Sequence, residues 1–169
     1  GLAAFCDHQV GRLVRFLDER GLRENTLILF TSDHGTQAGA HGVRPWEKRH
    51  PYRESLHVPL VMRLPGVLEG GGTNDTLTAP VDLMPSLCSL FHVPIPRTVE
   101  GVDLSDAWRG APGATEQEAV LTMNFSAQFD WLADGLEWRG VRTQRHNYCR
   151  WLDGRTFPAV TSASHIKLN

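Results

Sequence analysis

Asp33 and His34 stand side by side at the end of an apolar run, in TLILFTSDHG (residues 26–35). A carboxylate and an imidazole are both ligands for divalent cations. Adjacent residues leaving a strand through a turn can face one ion, and Gly35 lets the backbone swing away without a Cβ clash. Asp and Gly are also ordinary turn residues, so the tripeptide alone reads more readily as a turn beside a surface histidine. Two further residues shift that balance. Lys48 follows fifteen positions after Asp33 (48 − 33 = 15) in EKRHPYRES, and His41 lies between them in AHG. A metal and a lysine would stabilise the negative oxygens of an ester's transition state. A histidine would protonate the leaving group. Taken singly, a lysine in a charged loop is solvated and a loop histidine does no chemistry. Their joint occurrence behind one strand carries the reading.

The elements around these residues suit that role. Residues 3–20 read as an amphipathic helix, with Val10, Leu13, Val14 and Leu17 on one face and Gly21 placed to end it. Thr26–Thr31 is a continuous run too short for a helix, as expected of a buried strand in a sheet covered on both faces. In open α/β sheets, ligands bind at the carboxyl ends of the strands, where Asp33 and His34 stand. Residues 35–55 lack periodicity and form a long loop, the kind that is functional or disordered in compact domains. A second strand is expected at 58–66, ending in a Pro-Gly turn. A helix is expected at 79–93, capped near Asp82 with Pro85 in its first turn. Residues 93–110 are irregular and then suggest one helical turn, 111–118 a linker, and 119–125 and 138–152 two antiparallel strands.

Composition narrows the partners. With 17 Lys plus Arg against 19 Asp plus Glu, the net charge is −2, which gives no electrostatic reason to expect nucleic acid or an anionic membrane. No apolar run approaches the ~18 residues of a membrane-spanning helix. The three cysteines, Cys6, Cys88 and Cys149, are distant from one another and form no Cys-x-x-Cys pair. A disulfide framework or a thiolate zinc site is not expected, and Cys6 and Cys88 read as small core residues. The opening GLAAFCDHQV has no basic n-region and resembles the inside of a helix that began earlier, so the chain is expected to start within a longer protein. No compartment is legible.

The run VGRLVRFLDERGLRENTLILFTSDHG, followed by AHG, KRHPYRESLHVPLVMRLPG and APVDLMPSL, closely resembles the sulfatase family of the alkaline-phosphatase-like superfamily. The match is collinear from about Asp7 to about Leu104 and resumes at RGVRTQRHNYCRWLDG (139–154). The resemblance implies an α/β, alkaline-phosphatase-like sandwich, with a mostly parallel sheet flanked by helices, incomplete here. Residues 1–110 would be the later part of that core. Residues 111–169 would begin a small C-terminal antiparallel subdomain, with a divergent tail from about 155. Asp33 and His34 match the family's ligands for a divalent cation, usually calcium. Lys48 matches the lysine that contacts sulfate, and His41 matches the histidine of a His-Gly pair. Tyr52, Glu54 and Ser55 match a motif that supports the loop. Calcium prefers oxygen ligands, so the imidazole of His34 keeps Mn2+ or Mg2+ open.

The family's nucleophile is a formylglycine made from the cysteine of a Cys-x-Pro-x-Arg motif. Cys6 is followed by Asp-His-Gln, Cys88 by Ser-Leu-Phe and Cys149 by Arg-Trp-Leu, so none fits. The formylglycine and the paired acidic ligands of the family are expected in a preceding part. The isolated chain is therefore expected to bind a cation weakly and to be inactive. The segment 43–47 is slightly longer than the family pattern, which brings Arg44 and Arg49 forward as neighbouring anion contacts. Three functions follow from the resemblance. One is a portion of a metal-dependent sulfatase acting on a small-molecule or carbohydrate sulfate ester. Another is a phosphodiester or phosphonate monoester hydrolase of the same superfamily. The third is a non-catalytic, truncated sulfatase-like protein that self-associates through exposed core.

Overall fold

The computed structural model describes residues 1–68, 70–125, 137–152, 154 and 156–161. Helix α1 spans Leu2–Glu19, and β1 (Ile28–Thr31) is hydrogen-bonded to β2 (Leu60–Arg63) in a two-stranded sheet. The helix ends as its sequence predicts. Gly21 takes φ +65°, its N–H donates to the Asp18 carbonyl, and the Leu22 N–H donates to the Leu17 carbonyl at 2.9 Å. These two bonds satisfy carbonyls that the helix end would otherwise leave open.

The expected burial of this region is not found. No residue of α1 is buried, and Phe30 in β1 is half exposed. The other three β1 residues are only half-buried, so the apolar run is not fully covered on both faces. The cysteines are corrected for the same reason. Cys6 on α1 is exposed and Cys88 half-buried. Cys149 is the buried one, and burial pushes its thiol up to about 11, which makes it unreactive.

The chain groups into two compact units: residues 1–30 with 60–72, and residues 31–59 with 73–169. In the second unit, α2 (Arg53–Leu56), α3 (Pro80–Leu90) and α4 (Ser105–Trp108) are followed by four strands. These are β3 (Ala119–Asn124), β4 (Trp138–Thr143), β5 (His146–Trp151) and β6 (Thr156–Thr161), antiparallel in sequence order. The single run expected over 138–152 is thus a hairpin. Thr143 turns it, its Oγ1 accepting the backbone N–H groups of Arg145 and His146. Part of the tail is a strand too, since β6 pairs with β5, while residues 162–169 lie outside the described residues. Alternation gives the sheet one inner face, where Trp138, Cys149 and Trp151 form a buried cluster against Leu56.

Helix α3 starts at Pro80, within the expected 79–93, and ends earlier, at Leu90. Asp82 is buried, and its carboxylate reaches back to the Ala79 N–H at 2.8 Å, which fixes the first turn. Pro85 consequently falls inside the helix, not in its first turn. Its missing N–H frees the Val81 carbonyl. The chain exploits that gap: Gly101 packs so close that a Cβ there would lie 2.0 Å from the Val81 oxygen. Asp82 also accepts the Val102 N–H at 2.9 Å and the Gln117 amide at 2.7 Å. Ser86 accepts the Leu104 N–H at 2.8 Å. One turn of α3 thereby holds the irregular segment 101–104 in place.

Candidate active site

Strand β1 stops at Thr31, and the next four residues fold back on themselves. Ser32 Oγ donates to the His34 carbonyl at 2.8 Å, and the His34 N–H donates to Asp33 Oδ1 at 2.9 Å. That backbone donor holds the Asp33 carboxyl below its usual range. Asp33 stays ionised and its side chain is 81% exposed. The His34 ring is oriented by Gly35, whose carbonyl lies 3.0 Å from Nδ1. A carbonyl only accepts, so Nδ1 carries the proton and Nε2 the lone pair. Asp33 Oδ2 lies 3.3 Å from that Nε2, and the Lys48 ammonium donates to it at 2.8 Å. Three of the four residues singled out from sequence therefore converge on one point.

Gly35 is where the loop crosses itself. Its N–H donates to the Ser55 carbonyl at 2.9 Å, and a Cβ there would lie 1.8 Å from the Glu54 carbonyl oxygen. This crossing joins the Asp33–His34 end to α2. The fourth residue, His41, belongs to a separate group. Its ring stacks on Tyr52, with centroids 3.7 Å apart and an interplanar angle of 3°, and its Nε2 lies 3.1 Å from Glu54 Oε2.

The loop's supports were harder to see in the sequence. Gln37 is buried, with its amide on Ser55 Oγ at 2.8 Å and its backbone N–H on the Glu47 carbonyl at 2.9 Å. The Glu47 carboxylate accepts the backbone N–H groups of Lys48 and Arg49, each at 3.0 Å, and the Arg49 guanidinium at 3.1 Å. Arg49, a neighbouring candidate for an anion contact, is thus engaged with Glu47, whereas Arg44 is exposed. From the antiparallel sheet, Trp138 Nε1 donates to the Arg49 carbonyl at 2.6 Å and Asn147 to the Pro51 carbonyl at 2.7 Å. WEKR offered a local signal for the Glu47–Arg49 pair. Nothing local signals contacts from residues so distant along the chain.

Glu47 makes the loop acid-sensitive. Arg49 and the two backbone donors lower its carboxyl to about 2. A depressed carboxyl stabilises the fold above its unfolded value and loses that contribution as pH falls through the folded value. Between about pH 4.5 and pH 2 the loop should therefore lose on the order of 1–3 kcal/mol. Glu47→Gln should remove this component, so urea unfolding at pH 7 and pH 3 should differ less in the variant. An equal pH dependence in both proteins would contradict the assignment.

Asp33 and His34 also fit a divalent cation. Neighbouring ligands of such an ion lie roughly 3 Å apart, and the Oδ2–Nε2 separation is 3.3 Å; a cation there would take the Nε2 lone pair in place of the Lys48 ammonium. They supply two donors. Among the described residues there is no group of three or more His, Cys, Asp or Glu able to hold a metal.

The Sulfatase family model matches residues 1–93, more than half of the 169. The chain belongs to the sulfatase family. An ulvan-active sulfatase of Formosa agariphila is 37% identical over 155 residues, which is 90% of this chain and 30% of the relative. An arylsulfatase of Clostridium perfringens is 40% identical over 109 residues, 63% of this chain and 22% of that protein. Among solved structures, a protein in complex with its substrate D-glucosamine-2-N,6-O-disulfate superposes with a TM-score of 0.78 at 25% identity, covering 89% of this chain and 30% of that one. The phosphonate monoester hydrolase of Agrobacterium radiobacter gives 0.73 at 26%, covering 89% and 31%. This sulfatase chain thus spans less than a third of the length of these relatives, and it shares the alkaline-phosphatase-like fold.

Proposed function

We propose that this chain carries part of the catalytic machinery of a metal-dependent sulfatase that hydrolyses sulfate esters of carbohydrates or small molecules. The observation that supports it most is the meeting of Asp33, His34 Nε2 and the Lys48 ammonium at the end of β1. In this reading Asp33 and His34 hold a divalent cation, Ca2+ first, with Mn2+ or Mg2+ as alternatives. The bound cation supplies Lewis-acid stabilisation of negative oxygens. Lys48 contacts the sulfate oxygens, its ammonium matching their charge, and His41 protonates the leaving oxygen. Residues 1–110 serve as the later part of a core with a mostly parallel sheet, and 111–169 begin the C-terminal subdomain. The nucleophile, a formylglycine in this family, and further acidic ligands belong to chain other than these residues. Alone, the 169 residues bind metal weakly and turn over no ester.

The test uses both contexts. Calorimetric titration of the chain with Mn2+ should give weak, saturable binding that Asp33→Ala weakens by roughly 10-fold or more. In a full-length sulfatase polypeptide carrying this segment, the same substitution should lower aryl sulfate hydrolysis by roughly 10²–10³-fold, the scale of losing one transition-state electrostatic contact. Near-normal activity would remove Asp33 from the site.

Two other readings have specific support. The likeness to a phosphonate monoester hydrolase supports a phosphodiester or phosphonate monoester substrate. Parallel assays with aryl sulfate and phenylphosphonate monoesters separate the two. A non-catalytic, self-associating protein is supported by α1, where Leu2, Phe5 and Leu13 are each more than half exposed. Sedimentation velocity should then show oligomers that Phe5→Glu/Leu13→Glu dissociates. A monomer at all concentrations would remove that reading.

A further inference from the structure

The His41 environment is over-determined for a loop residue. His41 is a non-glycine residue in the left-handed region, with φ 60° and ψ 18°. Such a conformation persists only where the surroundings enforce it, and it clusters at functional positions. Here the surroundings are visible. Tyr52 lies flat against the ring and fixes its plane. Both Glu54 oxygens lie on one ring nitrogen, Nε2, at 3.1 and 3.2 Å. The Glu54 carboxyl is held below its usual range by its own backbone N–H, by His41 and by Arg53, so it is ionised and can only accept. Nε2 must then carry a proton, and Nδ1 is the nitrogen left for other chemistry. The sequence suggested only loop support for Tyr52 and Glu54.

We infer that Glu54 is a positioning residue that locks His41 as its Nε2–H form, so that His41 meets the leaving group of the ester through Nδ1. This rests on the sulfatase reading, and it adds the residue that sets the acid's orientation. In the charged ring both nitrogens bear protons. When the S–O bond breaks, its electron pair stays on the leaving oxygen, which takes the Nδ1 proton. The ring becomes neutral and keeps its Nε2 proton against Glu54. The carboxylate thus selects which proton leaves.

Two measurements test the inference. Long-range 15N–1H correlation spectra of the 15N-histidine-labelled chain, with His41→Gln to assign the resonance, should show the neutral ring protonated on Nε2. Glu54→Ala should return it toward the tautomer mixture of free histidine, and Tyr52→Phe, which keeps the stack, should leave it unchanged. A wild-type ring protonated on Nδ1, or a spectrum untouched by Glu54→Ala, would overturn the role of Glu54. In a full-length sulfatase polypeptide carrying this segment, Glu54→Ala should lower kcat for an alkyl sulfate at least tenfold more than for 4-nitrophenyl sulfate, whose leaving group needs no proton. Equal losses on both would instead overturn the sulfatase reading of His41, and the spectra would still judge Glu54 on its own.

Discussion

Gly35→Ala is expected to destabilise the second unit by about 3–5 kcal/mol and to disperse the candidate site. The added Cβ would stand 1.8 Å from the Glu54 carbonyl oxygen, a backbone atom that cannot rotate away. Relief requires the two crossing segments to separate, which breaks the Gly35–Ser55 hydrogen bond at 2.9 Å. Overpacking typically costs 1–3 kcal/mol, more when backbone must move, and a lost backbone hydrogen bond adds about 1 kcal/mol. Against a total stability of 5–15 kcal/mol this is a large fraction. The function would suffer beyond the stability loss, because the crossing ties the Asp33–His34 end to Glu54 and His41. Gly72→Ala is the control, since its Cβ would meet nothing within 4 Å and its φ is ordinary. Urea unfolding should separate the two variants clearly. A Gly35→Ala midpoint equal to that of Gly72→Ala would show that the crossing is looser than described.

Asp82→Ala should cost a similar amount, about 3–5 kcal/mol, without touching any residue of the proposed chemistry. The carboxylate is 1% exposed and accepts three donors, from Ala79, Val102 and Gln117. Hydrogen bonds to a charged group contribute about 1.5–3 kcal/mol each, and removing the acceptor strands buried donors that water reaches poorly. Asp82→Asn retains the shape and part of the acceptor capacity, so it should fall between alanine and wild type. Thermal unfolding of the three proteins gives the order. A loss under about 1 kcal/mol for Asp82→Ala would mean that segment 101–104 finds other partners.

How much of this was legible beforehand depends on the range of the interaction. Asp33, His34, Lys48 and His41 stood out because their side-chain chemistry is written in the local sequence and matches a family motif, and three of them meet. The Gly21 helix end, one helical turn within 93–110 and the antiparallel strands were legible for the same reason. The errors came where a contact outside the apolar pattern decides. Pro85 suggested a first-turn position, but Asp82 caps Ala79 and the helix starts at Pro80, so Pro85 lies inside it and Gly101 packs against the carbonyl the proline leaves open. Apolar periodicity in α1 and β1 suggested burial, yet periodicity marks only which face could be covered, not that something covers it. The distinction between the His34 group and the His41–Tyr52–Glu54 group could not be read at all. It depends on a loop crossing set by one glycine and on two hydrogen bonds from a sheet almost a hundred residues onward.

One of those bonds gives the loop an optical signature. Trp138 is 2% exposed, and its indole N–H is bonded to the carbonyl of Arg49, the residue next to Lys48. An indole in that setting emits at short wavelength, and it shifts to the red once water replaces the carbonyl. The emission that Trp138→Phe removes is therefore a ligand-free gauge of whether the Lys48 backbone is seated. It can be read in the same cuvette as the Glu47 acid titration or the Gly35→Ala unfolding curve.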